Sequence, residues 1–480
     1  MASLASTICC LALSFILKDK VSFPGSVAYL TSLRSYFSLQ ETAVQPGCIV
    51  SPETVKDVSA TVRILMRTNR LTSGCQFAIR SGGHASFAGA ANIEGGVTID
   101  LTNLDSIVLG DDAPPVVSVG TGATWGDVYS HLQDFNLSVN GGRAAEVGIG
   151  GLTVGGGISY FGPRFGWTCD TVSNFEVVLA DGSIINANDH ENPDLLWALR
   201  GGSNNFGIVT RVDLQTFEQD DLWGGYVIRP ISTADAQIQA LAEFNNPSNY
   251  DEAASLITTF GYSGSANLLV TVNNMEYTKP VEDPRVFRPL LNLPVLTSTQ
   301  RIASLTNLTA ETAAHNAIGA RRATATVTVE STVEAINATV QAWNASLPSV
   351  QDIPGIVWSV VMDPIPPVLY ARFADHNALG LGNRHGKPLV VVELVMTWSN
   401  AEDDEAVDTA AKALVETIQD RVGKLGALDP FLYINYAAPW QQPIASYGEK
   451  SVARLREVQR KYDPYGVFTN MVPGGFKLPG

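Results

Sequence analysis

The chain has 480 residues and a formal net charge of −16, a length that accommodates two to three cores at about 150 residues each. That charge argues against nucleic-acid backbones and anionic membranes as partners, because both would repel it. With 45% hydrophobic and 16% charged residues, the composition is that of a well-packed globular protein rather than a disordered one.

Residues 7–17 form an apolar run of signal-peptide length, too short to span a bilayer. A signal over residues 1–24, secretion and removal of Cys9 and Cys10 are the expectation. Asn-x-Ser/Thr triplets at Asn136, Asn307, Asn337 and Asn344 are compatible with glycosylation in that pathway. Of the remaining cysteines, Cys48 and Cys75 open predicted neighbouring strands and are the expected disulfide, leaving Cys169 free. No Cys/His cluster has zinc spacing, so no metal is expected.

Residues 47–67 begin as a strand and continue as a helix from Ser51, with Val55, Val58, Val62 and Leu65 on one face. A strand over 76–80 completes a β-α-β unit. It ends in Arg80-Ser81-Gly82-Gly83-His84-Ala85-Ser86, a turn whose backbone N–H groups no Cβ obstructs and beside which Arg80 adds positive charge. Residues 116–129 read as a strand, a turn holding Gly120 and Gly122, and a helix start. They lack the Gly-x-Gly-x-x-Gly fingerprint of a Rossmann fold.

The densest glycine stretch, residues 141–160, carries Gly148, Gly150, Gly151, Gly155, Gly156 and Gly157, with Val147 before them and Tyr160 after. Its conformational-entropy cost favours backbone wrapped against a large planar cofactor and its pyrophosphate over a glycine-rich loop of purely structural use. Residues 170–183 read as a hairpin with an Asp-Gly turn. A helix then ends at Gly201-Gly202, and Gly207-Ile208-Val209 opens a strand. From about 220 to 430, strand-like runs such as 268–272 and 388–396 alternate with helical stretches such as 401–422. In Phe431-Leu432-Tyr433-Ile434-Asn435-Tyr436, strand alternation puts Tyr433 and Asn435 on one face, and Ile434 and Tyr436 on the other.

Arg80-Ser81-Gly82-Gly83-His84 resembles the flavin-attachment segment of the berberine bridge enzyme-like oxidases of the vanillyl-alcohol oxidase superfamily, in which the His carries the flavin covalently. Residues 141–160, the Gly207-Ile208-Val209 strand, Tyr433-Ile434-Asn435-Tyr436 and the C-terminal stretch through Asn470 are similar to the family's further motifs in the same order. The resemblance implies an α+β protein with three parts. They are a PCMH-type FAD-binding domain of two α/β subdomains over 42–218, a substrate domain with a large antiparallel sheet backed by helices over 219–428, and a segment over 429–480 that returns to the first.

It implies FAD bound through the glycine segments, with Asn435 and Asn470 among its contacts. Ala144 stands where doubly attached members have Cys, so a single covalent bond, through His84, is implied. Val147 matches the family's gate to the oxygen-reactive edge of the flavin, and Tyr436 its catalytic base, with Tyr433 beside it. The implied activity is two-electron oxidation of a small secondary metabolite by a monomer, with dioxygen as acceptor and hydrogen peroxide as by-product. Oxidation of a sugar's anomeric carbon is the alternative; flavin binding without turnover is a third reading, against which the intact Tyr433–Tyr436 motif speaks.

Overall fold

The computed structural model describes residues 4–316, 319–384 and 386–479. Three sheets organise them. In the first, Cys48–Val50, Val97–Asp100 and Phe77–Arg80 lie parallel in that order, with Val21–Ser22 antiparallel at the edge. Parallel strands need a crossover, which the helix Val55–Thr72 supplies with Val58, Val62 and Leu65 fully buried. Its cap is Thr54, which accepts from Asp57 N–H while Asp57 reaches back to the Thr54 N–H. This reciprocal box sets the start three residues beyond the expected Ser51.

The strand Val97–Asp100 lies between the two segments that carry Cys48 and Cys75. Two strand spacings, roughly 10 Å, exceed the reach of a disulfide, and the expected Cys48–Cys75 bond does not form. Cys75 pairs instead with Cys9, and Cys48 with Cys10. Both partners sit on the helix Leu4–Leu17, whose Cys9, Cys10, Leu13 and Leu17 share a core with Val58, Phe77 and Ile99. The run read as a departing signal, whose residues 1–3 lie outside the described residues, is thus bonded twice into this core. Cys169 is free and buried, as expected.

The second sheet is antiparallel, in the order Ile107–Leu109, Val116–Gly120, Ile208–Glu218, Val172–Val178, Ile184–Asn188, with Leu137–Val139 also on Ile208–Glu218. The expected Asp-Gly turn closes its last hairpin, where Leu179 N–H donates to Ser183 O. The third sheet has nine antiparallel strands, centred on Leu268–Tyr277, Ala254–Ser263, Val357–Ile365, Leu389–Trp398 and Arg321–Glu330.

Side chains alternate across that sheet. Met275, Val360, Met362, Val392, Leu394 and Val327 pack against the helices Ala234–Phe244, Val333–Ser346 and Asp404–Lys424 in one core. The opposite face carries Tyr226, Thr324, Asp363 and Glu393 towards the glycine segments. Among the described residues, no helix is long and apolar enough to cross a membrane.

Candidate active site

The strand Phe77–Arg80 delivers the Ser81-Gly82-Gly83-His84 turn to a junction of four segments. Ser81 Oγ donates to Thr121 O at 2.5 Å and accepts from Gly150 N–H at 3.1 Å. Thr121 donates its hydroxyl to Val209 O at 2.8 Å. One serine and one threonine therefore tie together the turn, the Gly120–Gly122 loop, the 148–151 run and the strand Ile208–Glu218.

Gly82 and Gly148 meet backbone to backbone. A Cβ on the first would lie 2.6 Å from Gly148 N, and one on the second 2.4 Å from Gly82 N, so a side chain at either would part the segments. Next to them Gly151 is exposed, with nothing within 4 Å of where its side chain would project. The His84 ring, 24% exposed, lies beside Glu146, whose Oε2 is buried with no hydrogen-bond partner among the described residues. Bare backbone next to a partly open imidazole and an unspent acceptor fits FAD, which residues 81–84 and 148–151 would hold.

Several expected contacts have other duties. The Arg80 guanidinium is 2% exposed, pairs with Asp100 at 3.3 Å, donates to Ser32 and Ser35 and lies over the Tyr36 ring. The positive charge expected at the turn is therefore spent within the first core. Gly120 and Gly122 let their loop cross the carbonyls of Leu104 and Leu101, Gly207 packs on Val177, and Ile208 is buried in register with Val178. Ala85 is half-buried beside Ser86, whose hydroxyl meets that of Thr324 at 2.9 Å and joins the turn to the large sheet.

Tyr160 is 1% exposed and places its hydroxyl 3.2 Å from that of Thr312. It seals the seam with the helix Leu305–Ala314. Asn470 is exposed at the end of the short helix Val467–Asn470; the next residue, Met471, accepts from Phe77 N–H at the start of the strand Phe77–Arg80. The Ser81–His84 turn leaves from the other end of that strand, so the structure does not bring Asn470 to the junction.

The expected Tyr433–Tyr436 strand is a 3₁₀ turn over Ile434–Tyr436 with Tyr433 as its cap. Three residues per turn put positions i and i+3 on one side, and the two rings meet edge to face at 4.8 Å. The expected separation onto opposite faces is overturned. Tyr433 Oη accepts from Gly157 N–H, Ile158 N–H and Asn435 Nδ2 at 3.0, 3.1 and 2.9 Å. Asn435 also donates to Leu152 O and presses so closely on Gly155 that a Cβ there would lie 1.9 Å from Asn435 Oδ1. Tyr433 and Asn435 thereby clamp the C-terminal segment onto Gly155, Gly156 and Gly157.

Tyr436 belongs to a different network. Arg143 grips Asp363 with both amino groups, at 2.6 and 3.3 Å, and donates to Tyr436 Oη at 2.5 Å. Tyr436 in turn donates to Asp363 Oδ2 at 3.0 Å. Loss of hydration pushes the phenol well above its ordinary range; Arg143 pulls it down and Asp363 pushes it further up. Tyr436 is therefore a neutral phenol at rest, with its proton directed at Asp363.

One strand over, Glu393 is half-buried beside this pair. Loss of hydration pushes its carboxyl up to about 8, Asp363 adds to the rise and Arg143 opposes it. The folded protein thus holds a proton on Glu393 that the unfolded chain gives up above its ordinary value near 4.5. Stability from this group falls as pH rises between those limits. Glu393→Gln, which mimics the neutral acid, is expected to leave Tm nearly unchanged at pH 5 and to raise it over wild type at pH 8.5, as calorimetry at both values would show.

Arg143, Asp363, Glu393 and Glu146 were not singled out from the sequence. Their signal was present: Asp363 and Glu393 are lone carboxylates inside otherwise apolar strands, where an acid is retained only with a partner or a task.

Residues 46–188 match the family model described as FAD binding domain. The chain is 44% identical over 467 residues to "Oligopeptidase PhomG'" of Diaporthe leptostromiformis, covering 96% of this chain but spanning only 37% of that protein's length. It is 35% identical to the FAD-dependent monooxygenase CTB5 of Cercospora beticola, over 99% of this chain and 92% of the relative. The fold is that of the glucooligosaccharide oxidase of Acremonium strictum, which carries a 6-S-cysteinyl, 8α-N1-histidyl FAD. Superposition gives a TM-score of 0.78 at 21% identity, covering 99% of this chain and 100% of that one. With a glycine junction that fits FAD and a relative matched over almost its whole length, the chain belongs to the family of the FAD-dependent monooxygenases, FAD-binding oxidoreductases.

Proposed function

We propose that this oxidoreductase oxidises an alcohol or ring carbon of a small secondary metabolite, with dioxygen as electron acceptor and hydrogen peroxide as by-product. The observation that carries the reading is the Tyr436 phenol, held between Arg143 and Asp363 where the large sheet meets the glycine segments. Bound FAD would supply the two-electron acceptor. Tyr436 Oη takes a proton from the substrate as it passes its own to Asp363 Oδ2. Arg143 orients both oxygens and offsets the charge that the transfer moves. Substrate lies between this cluster and the flavin, held by residues 81–84 and 148–151, with one covalent bond through His84.

The same reading takes residues 42–218 as the FAD-binding domain, 219–428 as the substrate domain and 429–480 as the returning segment, in a monomer. It places the protein in the secretory pathway; two disulfides on the helix Leu4–Leu17 suit an oxidising compartment, and Asn136, Asn307 and Asn344 are exposed for glycosylation.

Anaerobic mixing with a panel of phenolic alcohols, alicyclic alcohols and oligosaccharides tests the substrate class. Bleaching of the flavin by members of the first two groups is the expected result, and bleaching by oligosaccharides alone contradicts it. Val147, half-buried two residues ahead of the helix Ile149–Val154, is the proposed oxygen gate. Val147→Leu adds one methylene there. The expected outcome is slower reoxidation in air with flavin reduction nearly unchanged, and equal reoxidation rates in stopped-flow traces of both proteins would remove Val147 from that role.

A further inference from the structure

The geometry assigns Glu146 as the positioning residue that prepares His84 for covalent attachment, fixing the imidazole tautomer and taking the ring proton as the bond to the flavin forms. This rests on the FAD reading above and adds the group that drives the bond.

The His84 ring is immobilised. It stacks on Phe37 with centroids 3.7 Å apart and planes 15° apart, and Phe37 N–H donates to Gly83 O at 3.1 Å, so the backbone holds the stack together. The Arg322 guanidinium lies 4.2 Å from the Phe37 ring centroid. On the imidazole edge, Nε2 lies 3.3 Å from Glu146 Oε1. A neutral imidazole has one N–H and one lone pair. A carboxylate facing Nε2 selects the tautomer with its proton there, which leaves the Nδ1 lone pair free to attack. Among the described residues, Nδ1 has no hydrogen-bond partner.

Glu146 is itself fixed from both sides. Its neighbours Ala145 and Val147 accept from Gly126 N–H and Trp125 N–H at 2.9 and 3.0 Å. Its second oxygen is the buried acceptor left without a partner, an arrangement that loses hydrogen bonding unless a proton or ligand arrives. A carboxylate that orients an imidazole and stabilises its charge is the logic by which an acid makes a histidine reactive.

His84 Nδ1 forms a bond to the carbon of the flavin 8α-methyl, whose C–H bond breaks and releases its proton to solvent. Nε2 gives its proton to Glu146. The two electrons of the broken C–H bond remain on the flavin, and dioxygen takes them together with two protons, equal in number to the one released by the methyl group and the one passed through Glu146, as hydrogen peroxide.

The test compares wild type, Glu146→Gln and Glu146→Asp, each prepared free of flavin and mixed with FAD in air. Quenching of FAD fluorescence reports binding and folding, and flavin retained after denaturation reports the bond. Glu146→Gln is expected to bind FAD and to form the bond at least about 10²-fold more slowly, while Glu146→Asp recovers part of the rate because it restores a carboxylate. NMR of the isolated flavin peptide should place the bond on Nδ1. Attachment of Glu146→Gln at the wild-type rate, or a bond on Nε2, overturns the assignment. Should Glu146→Gln fail to bind FAD, the bonded nitrogen in wild type and Glu146→Asp decides. Flavin that leaves wild type on denaturation contradicts attachment itself, a result distinct from an unaffected Glu146→Gln.

Discussion

Tyr436→Phe is expected to leave folding and flavin loading intact and to slow flavin reduction by about 10² to 10⁴, the range for loss of a positioned general base. The substitution removes only the hydroxyl. The ring still packs edge to face on Tyr433, and the two-pronged Arg143–Asp363 pair remains. Tyr433→Phe should behave differently. It removes the acceptor of the buried Gly157 and Ile158 N–H groups, which costs about 1 to 3 kcal/mol of stability, and leaves reduction near normal. Rapid-mixing reduction and thermal unfolding of both variants separate the roles; an inactive Tyr433→Phe beside a near-normal Tyr436→Phe would show the base to be misassigned.

His84→Ala is expected to release all flavin into the supernatant on denaturation, where wild type keeps one per chain. The single-bond claim follows from Ala144, which has no thiol to offer, and from Cys169, the free and fully buried thiol of the chain. A flavin-bearing peptide that contains residue 144 or any cysteine refutes it.

What could be read from the sequence follows the range of the interactions involved. The glycine segments were legible because close backbone contact leaves its mark in residue type, as at Gly82 and Gly148. The strands of the large sheet were legible as apolar, β-branched runs such as Leu389–Trp398, while their assembly into one sheet backed by helices came from the family resemblance. Misreadings arose where tertiary contact decides. Tyr433-Ile434-Asn435-Tyr436 alternates as a strand would, yet three donors drawn to the Tyr433 hydroxyl accompany a tighter turn and bring both tyrosines to one side. Cys48 and Cys75 lie on opposite sides of Val97–Asp100, an order that the β-α-β pattern leaves undetermined. Arg143 and Asp363 are 220 positions apart, and only the docking of the large sheet onto the glycine junction joins them. Arg80 shows the converse: the residue suits an anion, but the nearer Asp100 takes its charge.

The central claim is that the glycine junction holds FAD and that the bound flavin hands its electrons to dioxygen. Its most direct test needs no substrate: the protein is reduced under anaerobic conditions by titration with dithionite, then mixed with air-saturated buffer while flavin absorbance and hydrogen peroxide are followed together. The account predicts rapid return of the oxidised spectrum with one hydrogen peroxide per flavin; reduced flavin that persists for minutes in air, or reoxidation without peroxide, would contradict it.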